Sequence, residues 1–129
     1  MKYMALIDVP GLDEGARFYG QAFGFVESAR PMQGYAVIEC DGLEIGLLEK
    51  AAGTHPAEGS SDVRRYERHW TPVHIDFYVD DFAATLANVE KAGGKCEQKF
   101  EGGKHAPIAF CSDPFGNGFC VIGKKPAPV

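Results

Sequence analysis

The chain repeats itself at a spacing of 70 residues. Met4-Ala-Leu-Ile-Asp-Val9 overlays His74-Ile-Asp-Phe-Tyr-Val79 with Val9 on Val79, and the same shift of 70 sets Ala22 on Ala92, Gly24 on Gly94 and Glu27 on Glu97. The matches fall at equivalent points of a pattern of strand, acidic turn, amphipathic helix, glycine and strand, including the strand end and the glycine that stops the helix. Two copies of one unit related by a local two-fold are expected to form one cleft, with equivalent positions facing each other across it.

The 129 residues suit a single domain, 1–129, able to bury about two-thirds of its unfolded surface. With 24% charged and 45% apolar residues and a formal charge of -5, the composition is that of an ordinary soluble protein. Lysine and arginine are scattered apart from Arg64, Arg65 and Arg68, with no basic stripe interleaved with aromatics, so no nucleic-acid partner is expected. The N-terminal apolar run is too short for a secretory signal, and no segment approaches the roughly 20 apolar residues of a membrane span. Cys40, Cys96, Cys111 and Cys120 have no C-x-x-C spacing, and three sit in apolar strand-like runs. A reduced, cytoplasmic protein with buried free thiols is the expectation.

Along the first module, 1–50, residues 3–9 read as a strand punctuated by Pro10-Gly11. A helix over 13–23 follows, with Asp13 as N-cap and Gly24 as stop, then strands over 25–29, 34–40 and 43–48, the last two joined by Asp41-Gly42. Residues 51–72 are small, polar and then charge-rich, a connector long enough to cross the molecule or to let one module pair with its neighbour in a dimer. The second module, 73–123, repeats the pattern: a strand over 73–79, a helix capped by Asp80 or Asp81 and ended by Gly93-Gly94, and strands over 95–100, 108–112 and 119–122. The predicted fold is α+β, two tandem βαβββ modules forming a curved mixed sheet around a cleft, with the helices on the outer face.

Strand side chains alternate faces, so Met4, Leu6 and Asp8 share one face of the first strand, and His74, Asp76 and Tyr78 share the matching face of the second module. The other face carries Ala5, Ile7 and Val9, matched by Ile75, Phe77 and Val79, the composition of a helix-covered surface. A polar triplet opposite the helices is destabilising unless it is paired or wet, which points to a cleft there. Trp70, beside His69, is placed to act as a lid or to anchor the connector.

Phe18-Tyr19 with Phe23-Gly24-Phe25, His74-x-x-x-x-Val79-Asp-Asp81, Gly93-Gly94 and Asp113-Pro-Phe-Gly-Asn117 together resemble the vicinal oxygen chelate superfamily over about residues 1–123. That superfamily takes in glyoxalase I, extradiol dioxygenases, and the fosfomycin- and bleomycin-resistance proteins. The resemblance implies a divalent metal held by two ligands per module, one on the first strand and a glutamate on the last. Carried onto this chain, those positions hold His74 and Cys120 in the second module, and Met4 and Gly46 in the first, with Glu44 two residues before Gly46. One imidazole, a thiol, a thioether and a glycine do not supply the donors that Mg, Mn, Fe or Ni need, and catalytic zinc normally takes three protein ligands.

The expectation is therefore a small-molecule-binding or resistance-type protein without the usual metal and with no cofactor, its ligand-binding residues being Met4, Asp8, Trp70, His74, Asp76, Tyr78 and Cys120. A cationic or hydrogen-bond-donating ligand with apolar area suits the carboxylates, and a homodimer is expected. The alternatives are a metal-dependent lyase, isomerase or dioxygenase of the glyoxalase type with an unusual ligand set, any metal resting on His74 and Cys120, and a metal-free enzyme using His74 and Asp76 as an acid-base pair.

Overall fold

The computed structural model describes residues 1–127. The chain forms two compact units, one over Met1–Glu67 and a second from Arg68 onward. In the first, β1 (Ala5–Val9), α1 (Leu12–Phe23), β2 (Val26–Met32), β3 (Tyr35–Cys40) and β4 (Leu43–Glu49) give a four-stranded sheet of order β1-β4-β3-β2. In the second, β5 (Ile75–Tyr78), α2 (Phe82–Lys91), β6 (Lys95–Phe100), β7 (Ile108–Ser112) and β8 (Gly118–Ile122) give the order β5-β8-β7-β6. Both sheets are mixed, since the first strand runs parallel to the last and the other pairs are antiparallel. This is the α+β fold of tandem βαβββ modules that the repeat predicts.

Helix α1 buries Leu12, Gly15, Phe18, Tyr19 and Ala22, spaced three or four apart, and so turns one stripe toward the sheet. Val9, Ala36, Ile38, Ile45 and Leu47 complete that core. A β-carbon on Gly15 would stand 3.0 Å from Val9 Cγ1 and 3.2 Å from Leu47 Cδ1, so glycine sets the close approach of helix to sheet. Gly24, at φ 89, ends the helix in the left-handed conformation expected of it.

Asp13 does not cap α1. The N-cap is Gly11, whose lack of a capping side chain is made good from a distance, Leu12 donating its backbone N–H to Glu49 Oε1 at 3.2 Å. In α2 the expected cap holds: Ala84 donates its N–H to Asp81 Oδ1 at 3.0 Å. Strand β2 runs on to Met32, beyond the predicted 29. It is an exposed edge strand, where Pro31 interrupts no ladder in the middle of the sheet. Asp41 and Gly42 both take positive φ, 52° and 79°, as a tight two-residue hairpin turn requires.

Residues 51–72 are not a free linker. The part up to residue 67 folds onto the first unit: Arg64 Nε donates to Asp8 Oδ2 at 2.8 Å, Arg64 Nη1 to the His55 carbonyl at 3.1 Å, and Tyr66 Oη to the Lys50 carbonyl at 2.5 Å. From Arg68 the chain belongs to the second unit, where His69 donates its backbone N–H to the Gly116 carbonyl at 3.3 Å.

The second core gathers Leu86, Val89, Ala109, Cys111, Phe115, Phe119 and Val121. In β5 exposure alternates, Ile75 and Phe77 being half-buried and Asp76 and Tyr78 exposed, the parity expected from sequence. The motif Asp113-Pro-Phe-Gly-Asn117 is a turn built on one buried carboxylate. Asp113 Oδ1 accepts from the backbone N–H of Phe115 and of Asn117, and Oδ2 accepts from Asn117 Nδ2, each at 2.9 Å. No helix among the described residues is long and apolar enough to cross a membrane.

Candidate functional site

The registers identify equivalent positions in the two sheets. Leu6 stands opposite Gly46 in the β1–β4 ladder and Asp76 opposite Cys120 in the β5–β8 ladder, so Gly46 and Cys120 correspond, as the resemblance implies. In the first unit a side chain at 46 has no room. A β-carbon there would collide with Leu6 Cδ2 and lie 2.9 Å from Tyr35 Cε1. Met4 is half-buried just before β1, and Glu44 is exposed. Asp8 is occupied in holding Arg64. The open face of this sheet thus offers a thioether and an ion-paired carboxylate, with apolar side chains over the glycine.

The second unit is chemically richer. His74 Nε2 lies 3.0 Å from Asp76 Oδ1, the two residues being neighbours on one face at i and i+2. Directly across the ladder Asp76 faces Cys120. One ligand atom from each side chain of this triplet, an imidazole nitrogen, a carboxylate oxygen and the sulfur, lies within 4.8 Å of the other two. Burial pushes the Cys120 thiol up to about 11, and the negative charge and hydrogen bond of Asp76 add to the effect. Cys120 is therefore a neutral thiol at neutral pH and no activated nucleophile. The imidazole and carboxylate form a positioned pair able to accept a hydrogen-bond donor or a cation.

Beside the triplet is a cavity of about 310 Å³, at the lower end of the range for small-molecule sites. One wall is the segment bearing Arg68, Trp70 and Thr71, running into His74; the sheet supplies Glu97, Phe110, Cys111, Gly118, Phe119 and Cys120. Arg68 fixes that wall. Its Nε donates to Glu97 Oε2 at 2.7 Å, and its guanidinium lies where a Gly118 side chain would be, 2.8 Å from the position of a β-carbon. Trp70 is 81% exposed at the cavity rim, an unusual state for so large an apolar surface.

Of the residues expected from sequence to bind a ligand, Trp70, His74 and Cys120 line this cavity, and Asp76 pairs with His74 and faces Cys120 across the ladder. Tyr78 is 77% exposed on the same strand face and is not among the lining residues. Met4 and Asp8 belong to the other unit. Sequence reasoning missed Arg68, Thr71, Glu97 and Phe110 as site residues. Glu97 carried a signal, as one of the four repeat identities, and Arg68 belonged to the one local cluster of basic residues.

At the four positions where the superfamily holds its divalent metal this chain has Met4, Gly46, His74 and Cys120; Gly46 is closed over by Leu6 and Tyr35, whereas His74 and Cys120, with Asp76, are close enough to share an ion.

No curated protein sequence matches the chain. Solved structures do. A hypothetical protein from S. aureus is 21% identical with a TM-score of 0.74, the match covering 96% of this chain and 94% of that one. The genomically encoded fosfomycin resistance protein FosX from Listeria monocytogenes is 14% identical with a TM-score of 0.71, covering 97% and 93%. A glyoxalase/bleomycin resistance protein from Albidiferax ferrireducens T118 is 16% identical with a TM-score of 0.66, covering 96% and 98%. A family model described as a glyoxalase-like domain matches residues 4–122, almost the whole chain, and with the tandem βαβββ fold it makes this protein a member of the glyoxalase-like domain family, within the vicinal oxygen chelate superfamily.

Proposed function

We propose that the protein binds a small cationic ligand with an aromatic or apolar body, in the manner of a resistance or carrier protein and without the superfamily's divalent metal. The observation that carries this reading is the substitution of the ligand set: a glycine under Leu6 and Tyr35 at one glutamate position and a buried cysteine at the other. What remains in the second unit is a carboxylate oriented by His74 and Cys120 beside Trp70 and Phe110. That combination suits a cation whose charge meets Asp76 and whose apolar part stacks on the aromatics. Fosfomycin and bleomycin resistance in the neighbours' names supports a ligand-binding role for the fold.

The test uses phenethylamine and phenylacetate as matched probes of opposite charge. Phenethylamine is expected to raise the melting temperature and to change the fluorescence of Trp70, the only tryptophan, and phenylacetate to do neither. Equal responses to both probes would remove the role given to Asp76.

A second reading, a metal-dependent lyase, isomerase or dioxygenase with an unusual ligand set, is favoured by the closeness of His74, Asp76 and Cys120. Metal analysis of the purified protein separates the two. Stoichiometric zinc, nickel, iron or manganese that is lost in His74→Ala supports the enzyme, and its absence supports the binding protein.

A further inference from the structure

Cys96 and Cys111 are directly opposed in the antiparallel β6–β7 ladder. Cys96 donates its backbone N–H to Glu90 Oε1 at 3.3 Å, away from the ladder. That is the behaviour of a non-hydrogen-bonded cross-strand pair, in which Cα atoms lie about 4.5 Å apart and side chains approach most closely. Such a spacing falls within the range that a disulfide spans, about 4.4 to 6.8 Å. Both thiols are free. Their exposures differ: Cys96 is half-buried, and Cys111 is 1% exposed.

The ladder is irregular at this point. Its register shifts between Cys96 and Gln98, so Glu97 is the extra residue of a bulge. Glu97 is also the residue whose carboxylate holds Arg68 at the wall of the cavity, two positions before Trp70. Cys111 lines the same cavity.

We propose that Cys96 and Cys111 are a thiol pair that closes to a cross-strand disulfide on reaction with a low-molecular-weight disulfide, and that closure moves the Glu97–Arg68 wall of the cavity. The more accessible Cys96, as thiolate, attacks one sulfur of the small disulfide and expels its other half as a thiolate, which takes up a proton. Cys111 then attacks the Cys96 sulfur of the mixed disulfide, giving up its proton as the second half departs. Two protein thiols are oxidised, and one small disulfide is reduced to two thiols. Bond formation fixes the sulfurs at about 2.05 Å, beside the bulge that carries Glu97. This inference is independent of the ligand reading and does not need it.

The experiment incubates the reduced full-length protein with oxidised glutathione, maps the peptides and records Trp70 emission before and after. A Cys96–Cys111 cross-link is expected, with the protein mass lower by two hydrogens and the Trp70 emission shifted. Dithiothreitol should reverse both. Cys120→Ser should keep the cross-link, and Cys96→Ser should lose both it and the emission change. Should Cys96→Ser fail to fold, Cys111→Ala, a small apolar replacement at the buried partner, is read in its place and is expected to stop at a glutathione adduct on Cys96. Wild-type protein that stops at that adduct, a cross-link through Cys120 or Cys40, or a cross-link that leaves Trp70 emission unchanged would each overturn the proposal.

Discussion

Asp76 stands directly opposite Cys120 in the β5–β8 ladder, while the equivalent pair of the first unit is Leu6 opposite Gly46. One repeat position thus became a polar site in one copy and a packed apolar contact in the other. Gly46→Ala is accordingly expected to destabilise the protein by about 1 to 3 kcal/mol, the range for overpacking, because the added methyl meets Leu6 and Tyr35. Adding Leu6→Ala should recover part of that loss in a double-mutant cycle followed by urea unfolding. Purely additive effects would show that Leu6 does not fill the space.

Asp76→Asn keeps the shape of the side chain and removes its charge. Affinity for phenethylamine should fall by about 1 to 3 kcal/mol, with little change in melting temperature, since Asp76 is exposed. Phe77→Ala should do the reverse. Phe77 packs edge-on against Phe119 at 5.8 Å on the helix-covered face, and being half-buried it should lose about 3 kcal/mol of stability, the low end for a truncated aromatic. Titration calorimetry and thermal melts on both variants check the pair; a stable Phe77→Ala beside an unfolded Asp76→Asn would invert the assignment of faces.

Two buried thiols make stability depend on alkaline pH. Burial pushes Cys111 up to about 12 and Cys120 up to about 11, against an ordinary value of 9.0. Above pH 9 the unfolded chain releases these protons while the native state retains them, so the unfolded state binds fewer protons and stability falls as pH rises. The contribution is fully present below pH 9 and is lost progressively toward pH 11 to 12. Melting curves between pH 8 and 11 should show the fall, and it should be smaller in Cys120→Ala. A flat profile would mean that the thiols are solvated.

The Asp113 turn is structural. Removing the hydrogen bonds it accepts from Phe115 and Asn117 with Asp113→Ala, at a residue only 4% exposed, should cost about 3 kcal/mol. Asp113→Asn, which keeps one carbonyl oxygen for the two backbone donors, should cost less. Urea titrations measure both, and equal losses would argue against the capping role.

A homodimer is expected in solution. Each sheet carries large apolar side chains in the open, Leu6 at 51% exposure in one unit and Tyr78 at 77% and Phe110 at 39% in the other. Sedimentation velocity at micromolar concentration tests this directly: a single monomer boundary would contradict it.

The elements and their faces were legible in the chain alone. The repeat set two βαβββ units, the alternation through Ile75-Asp-Phe-Tyr78 put Asp76 opposite the helix, and Asp41-Gly42, Gly24 and Asp81 marked turn, stop and cap, because these signals are local and act through backbone conformation and period. Where a signal had to choose among distant partners it failed. Asp13 looked like a cap, yet the exposed helix end is met by Glu49, which follows it by three strands. Residues 51–72 looked like one linker, yet Arg64 is drawn to Asp8 and Arg68 to Glu97, dividing the segment between the units. Only the tertiary structure decided that Gly46 is closed by Leu6 and Tyr35, that Gly118 makes room for a guanidinium, and that Cys96 faces Cys111. These are contacts between side chains far apart in sequence, fixed by strand register and by a bulge, and neither leaves a periodic trace in the chain.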